Sequence, residues 1–263
     1  MPIRVYLNLH TRRTFGEPKL ARKLLRAFDE VAPHLVPEKI GYSEPLKHRY
    51  GSAFFELPRS PLGFVIFKKR RPRVNGTIGP AVFRDFGHLD VVFEIEAQLL
   101  EEVAKLFRSW IKTKPVVFAQ MFTPTDLLLA RAIASQTAYR VRSEPYDFGF
   151  SAFKLLRGLP DVYWATCLGE DYVKLLGRKK VLSAPAAEVK EIDGAVYIQL
   201  TSDPRDMVES PELVESARLR VIQHLGRRLF FDPARPKSEA VRVPKAVRDM
   251  LPEWAGTDDE NGW

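Results

Sequence analysis

Two short acidic segments have a spacing that could support a metal-dependent reaction: Pro160-Asp161, and later Glu188-Val189-Lys190. Together they read PD…ExK. In that pattern two carboxylates hold Mg²⁺ and a lysine positions or activates water for phosphodiester cleavage. The chemistry requires adjacent strands to bring Asp161, Glu188 and Lys190 together. Here a helix-like stretch and the segment KKVLSAP intervene. Glu188 and Lys190 also alternate against Val189, as the solvent side of a hairpin does, so a solvated hairpin stands beside the nuclease reading.

Other chemistry finds less support. His10, His34, His48, His88 and His224 form neither HxxxH nor HExxH. His88 and Asp90 lie two apart on one side of an expected strand, with no third ligand nearby in sequence, so a solvated loop histidine is the preferred reading. Cys167 is the single cysteine, which rules out an internal disulfide and thiolate zinc sites and fits a reducing cytoplasm. Its neighbours Trp164, Ala165 and Leu168 suit a buried small hydrophobe. Ser183 has no GxSxG setting and no base in view. Neither GxxxxGK[ST] nor GxGxxG occurs. No catalytic residue is assigned, and no cofactor is expected.

Charge points towards acidic partners. There are 41 basic residues against 33 acidic ones, a net charge of +8, which favours nucleic acid, an anionic surface or an acidic protein but also serves solubility. The run Lys68-Lys69-Arg70-Arg71-Pro72-Arg73 can touch phosphates. It equally suits a solvated connection between two strands, and no aromatic residues interleave with it as a single-strand stacking platform requires. No apolar run reaches the roughly 20 residues of a membrane helix, so no membrane partner is expected.

The elements that must position these groups read as α+β, an antiparallel sheet with helices packed on one face. Ile3 to Leu9 is a first strand. Leu20, Leu24, Phe28, Val31 and Leu35 recur at helical spacing after Pro18. Segments 53–57, 62–67 and 90–96 read as antiparallel strands, 99–111 as an amphipathic helix and 116–121 as another strand. Thr123-Pro124-Thr125-Asp126 opens a helix to 136, and 138–160 is irregular with a strand near 146–150. A short helix covers 170–176. Asp193-Gly194 predicts a type I′ hairpin within 186–200, and a last helix runs from Ser210 to Leu225. One domain, 1–232, is expected, with weak symmetry between halves 1–121 and 122–232. The Pro-rich, polar segment 233–263 reads as a loosely packed or disordered tail.

The stretch GLPDVYWATCLGEDYVKLLG, 158–177, is rich in large apolar side chains, so core is its first reading. A binding edge using Asp161 and Tyr163 is the second. Together with VLSAPAAEVKEI and AVYIQLTSDPRD it resembles the C-terminal pattern of immunity proteins from bacterial polymorphic toxin systems, over about residues 155–226. That resemblance implies a cytoplasmic protein that binds and blocks a cognate toxin by steric occlusion, with neither catalysis nor cofactor. Candidate partner contacts are Asp161, Tyr163, Trp164, Arg70, Arg71 and Arg73. The alternative is a nucleic-acid-binding or nuclease component, with Asp161, Glu188 and Lys190 as its metal set. Inhibitors of nucleases are often acidic, and the basic balance here departs from that.

Overall fold

The computed structural model describes residues 2–12, 18–51, 65–80, 87–113, 115–125, 139–141, 144–147, 155, 158–230 and 243–249. β1 (Ile3–Thr11) is buried on both sides along most of its length. Period-two alternation sends Val5, Leu7 and Leu9 to one face and Tyr6, Asn8 and His10 to the other. Helix α1 (Pro18–Val31) follows, then short strands β2 (Lys39–Gly41) and β3 (His48–Arg49). A meander of β4 (Val65–Lys69), β5 (Arg73–Pro80) and β6 (Gly87–Ile95) leads to α2 (Leu100–Trp110) and β7 (Val116–Phe122). β6 alternates strictly between buried and half-buried residues, as its sequence predicts.

Among the described residues, β8 (Tyr139–Val141) and β9 (Glu144–Asp147) pair only with each other, within the stretch expected to be irregular. β10 (Ala165–Leu168), α3 (Glu170–Leu176), α4 (Arg178–Leu182), β11 (Glu188–Ile192) and β12 (Ala195–Gln199) come next. The chain continues through α5 (Asp206–Glu209), α6 (Pro211–Leu225) and α7 (Lys245–Arg248). The segments expected at 53–57 and 126–136 lie outside the described residues.

The strands form one ten-stranded antiparallel sheet in the order β11-β12-β10-β7-β1-β6-β5-β4-β2-β3. The order repeats one pattern on either side of β7. In the first half, β1, α1, β5, β6 and α2 come in that order, with β2, β3 and β4 inserted between α1 and β5, and β1 pairs with β6, which pairs with β5. In the second, β10, α3 with α4, β11, β12 and α6 repeat the pattern, and β10 pairs with β12, which pairs with β11. β7 lies between them, antiparallel to both β1 and β10. With β7 as fourth strand, the first half has the β-α-β-β-α-β topology called ferredoxin-like.

A half-turn about β7 exchanges the two halves and turns the sheet over. Each half therefore packs its helices on one face, and the two halves use opposite faces, so helices cover both faces of the sheet rather than one. α1 and α2 cover one core, in which Phe28 meets Trp110 edge-on at 5.5 Å and Trp110 Nε1 donates to the Leu24 carbonyl at 2.8 Å. α3, α4 and α6 cover the other, built on Phe118, Leu168, Val196 and Ile198. Val243 and Val247 are buried in this second core, so the described part of the expected tail belongs to the packed domain.

Gly169 shows how closely the pieces fit. A Cβ there would lie 2.0 Å from the Val116 carbonyl oxygen, and the Gly169 N–H donates to Val117 O at 3.0 Å. Only glycine lets β10 turn into α3 this close to β7. No described helix is long and apolar enough to cross a membrane.

Candidate functional site

The approach to β10 is fixed from both sides. Leu159 N–H donates to Leu229 O at 2.9 Å, and Leu200 N–H donates to Trp164 O at 2.9 Å. Between these anchors the Asp161 carboxylate turns inward. Its Oδ1 accepts from Val162 N–H at 2.7 Å and from Arg218 Nη1 at 2.6 Å. Arg218, on α6, also holds Glu215 with Nε and Nη2 at 2.8 and 2.9 Å. Burial works against the guanidinium's charge, but the hydrogen bonds to Glu215 and the field of Asp161 outweigh it and raise the Arg218 pKa. Asp161 is thus a neutralised structural acceptor only 8% exposed, not the outward contact expected of it.

Trp164 is likewise 2% exposed, with Nε1 donating to Thr201 Oγ1 at 2.9 Å. It shapes the site from within, which corrects its assignment as a partner contact. Tyr163 is half-buried. Its ring lies 4.6 Å from Phe122, and Phe122 stacks on Tyr6 at 5.4 Å, giving an aromatic strip across β7 and β1. Beside it a cavity of about 50 Å³ is lined by Phe122, Tyr163, Trp164, Met207, Val214 and Arg218.

The basic run forms the turn between β4 and β5, as the solvated reading held, with Arg70 and Arg71 exposed. Its charge is partly balanced. Lys68 pairs with Glu44, the Arg70 backbone N–H donates to the Glu38 carboxylate at 3.2 Å, and Arg73 and Arg4 share Glu94 at 3.2 and 2.7 Å. Slight burial opposes the Glu94 charge, but the Arg4 hydrogen bond and the field of Arg73 prevail and lower its pKa. The pairings Ala165–Met121, Tyr6–Phe122, Tyr6–Val92 and Arg73–Glu94 put this turn and the Asp161–Trp164 segment at the same end of the sheet. Four strand spacings separate β10 from β5, about 19 Å.

The PD…ExK set does not assemble. Glu188 lies opposite Gln199, which accepts from Arg108 of α2 at 3.3 Å, so Glu188 is on the α2 face, and Lys190 with it opposite Tyr197. Asp161 points to α6 on the other face. No group of acidic, histidine or cysteine side chains suited to a metal ion occurs among the described residues.

Sequence reasoning missed three arrangements. Asp90 accepts from Asn8 at 2.7 Å, and Asn8 accepts from Gln120 at 2.7 Å, a polar row across three strands. His88 is on β6 opposite His10, not in a loop. The alternation in YLNLH could have flagged Asn8 and His10 as one face, but their partners come from distant segments. Finally, His224 Nε2 lies 3.3 Å from Ser183 Oγ. The same nitrogen is 2.7 Å from Lys180 O, and Ser183 Oγ donates to that carbonyl at 3.1 Å. Nε2 therefore carries the proton, and the pair caps α4 and cannot activate a nucleophile. Cys167 is fully buried, and burial pushes its thiol up to about 12; it packs as the small hydrophobe expected.

No protein-family model matches the chain, and no curated protein shows significant sequence similarity to it.

Proposed function

We propose that this is a cytoplasmic immunity-type protein that binds a cognate bacterial toxin and blocks it by covering it. The observation that carries this reading is the end of the sheet where the exposed Arg70–Arg71 turn, the Arg73–Glu94 pair and half-buried Tyr163 lie about 19 Å apart across the strands. A standard interface buries about 800 Å² per partner, a patch roughly 28 Å across, so one partner spans both. Tyrosine and arginine are the side chains that most often anchor such contacts. Four side chains weighed for chemistry are committed to the scaffold: Asp161 to Arg218, His224 and Ser183 to Lys180 O, and Cys167 to the interior.

Co-expression with the product of the adjacent gene, followed by pull-down, tests the reading. A stable complex and suppressed toxicity are expected. Tyr163→Ala and the pair Arg70→Glu, Arg71→Glu should each weaken the complex at least roughly tenfold. No complex and unchanged toxicity would overturn the proposal. Salt-sensitive binding to DNA or RNA, lost in the arginine pair, would favour the nucleic-acid alternative instead.

A further inference from the structure

The two ends of the ten-stranded sheet are unequal. One ends in β3, two residues long, which offers almost no ladder. The other ends in β11, five residues long and, among the described residues, paired only with β12. The hairpin joining them has the two-residue turn Asp193-Gly194, with φ of 48° and 83°. Such a turn makes Ile192–Ala195 a hydrogen-bonded pair. The alternation of an antiparallel ladder then turns the amides and carbonyls of Lys190 and Glu188 towards β12 and those of Val189 and Glu191 away from it. Among the described residues, no backbone hydrogen bond reaches the outward groups of Val189 or Glu191. This edge is a template for another strand.

The charges on β11 discriminate between the strands that could dock there. Glu188 and Lys190 share the α2 face, opposite Gln199 and Tyr197. Val189 lies on the other face, partly packed into the second core, and Glu191 beside it is paired with Arg178 of α4. A second copy of the chain can add antiparallel about a two-fold axis. Centring the axis on Lys190 sets lysine against lysine, and centring it on Glu188 or Glu191 sets glutamate against glutamate. Like charges directly opposite are destabilising. Centred on Val189, the axis brings Glu188 opposite the partner's Lys190 and Lys190 opposite the partner's Glu188. It does so at a non-hydrogen-bonded position, where Cα atoms are only about 4.5 Å apart. In the same register the outward amide and carbonyl of each Val189 meet those of the other.

We propose that β11 is a self-association edge, on which two copies of this chain pair antiparallel about Val189 to continue the sheet through a two-fold axis. The contact is isologous, so every substitution acts twice. It lies at the far edge of the sheet from the Arg70–Arg71 turn and does not depend on the toxin reading.

Sedimentation equilibrium of the full chain over a concentration series, at low and high salt, tests this. A reversible dimer weakened by salt is expected. Glu188→Lys or Lys190→Glu alone replaces both attractions with repulsions and should raise the dimer dissociation constant roughly tenfold. The double swap E188K/K190E should restore it. Val189→Pro removes a donor that faces solvent in the single chain. It should abolish the dimer while circular dichroism and the unfolding midpoint stay close to wild type. A chain monomeric at every concentration overturns the proposal. So does a dimer indifferent to Val189→Pro, or a double swap that fails to rescue. A β11 edge that pairs only with a toxin strand, giving a heterodimer and no homodimer, overturns it as well.

Discussion

Arg218 reaches from α6 to Asp161 across 57 residues of sequence and closes a 2.6 Å hydrogen bond, while its other nitrogens hold Glu215. The side chains of Arg218 and Asp161 are 12% and 11% exposed. Removing one partner leaves the other charge with little water to solvate it. Breaking a fully buried pair costs about 3–5 kcal/mol. Residual exposure and the Val162 N–H bond that Asp161 keeps lower this, so Arg218→Ala should cost about 2–3 kcal/mol, read from the urea midpoint. Asp161→Ala should cost less, because Glu215 still neutralises the arginine. If Arg218→Ala unfolds at the wild-type midpoint, the ion pair does not hold the Asp161–Trp164 turn.

Gly169→Ala places a methyl group where the Val116 and Val117 carbonyl oxygens stand, 2.0 and 2.8 Å from the new Cβ. β10 and β7 must separate locally or the helix start must shift. We expect a loss of about 1–3 kcal/mol, typical of overpacking, measured by thermal unfolding. A variant as stable as wild type would contradict the close approach of the two strands.

Cys167 sits in the core with its thiol pushed up to about 12 by burial. Thiolate is the reactive form. An alkylating reagent at mildly alkaline pH should leave the native protein unlabelled over a time that labels the denatured chain completely. Native labelling at the rate of a free thiol would show that the site opens.

Glu94, between Arg4 and Arg73, is the carboxylate to watch in acid. Its folded pKa is lowered, so its stabilising contribution is present above the unfolded value, roughly 4.3. That contribution is lost as pH falls through the folded pKa. These pairs are half-exposed, so Glu94→Gln should destabilise at neutral pH by no more than about 1 kcal/mol. The difference from wild type should shrink towards zero in acid. A difference that grows on acidification would reverse the assigned sign.

What could be read from the sequence is what is local. The alternation along β6, the apolar stripe of α2 and the Asp193-Gly194 turn each lie within one short window, and each appears where expected. Arg70 and Arg71 were legible as a strand connection because Pro72 punctuates the run. The pairing of Asn8 with Gln120 spans 112 residues, and Asp161 finds Arg218 only once α6 has packed over the second core. The PD…ExK letters misled for a related reason. Face assignment depends on register, and β11 takes its register from β12, which turns Glu188 towards α2. Trp164 and Tyr163 are neighbours of the same type, and only the fold separates the buried one from the half-buried one.

β7 supplies hydrogen bonds to β1 on one side and β10 on the other. Neither half owns it. A truncation after Phe122 would keep β7 but leave its β10 side bare, and the excised remainder would carry an unshielded β10. The molecule should therefore melt in a single cooperative step, and the halves should not survive as separately expressed fragments. Any ancestral duplication behind this symmetry had to be accompanied by the merging of two closing strands into one.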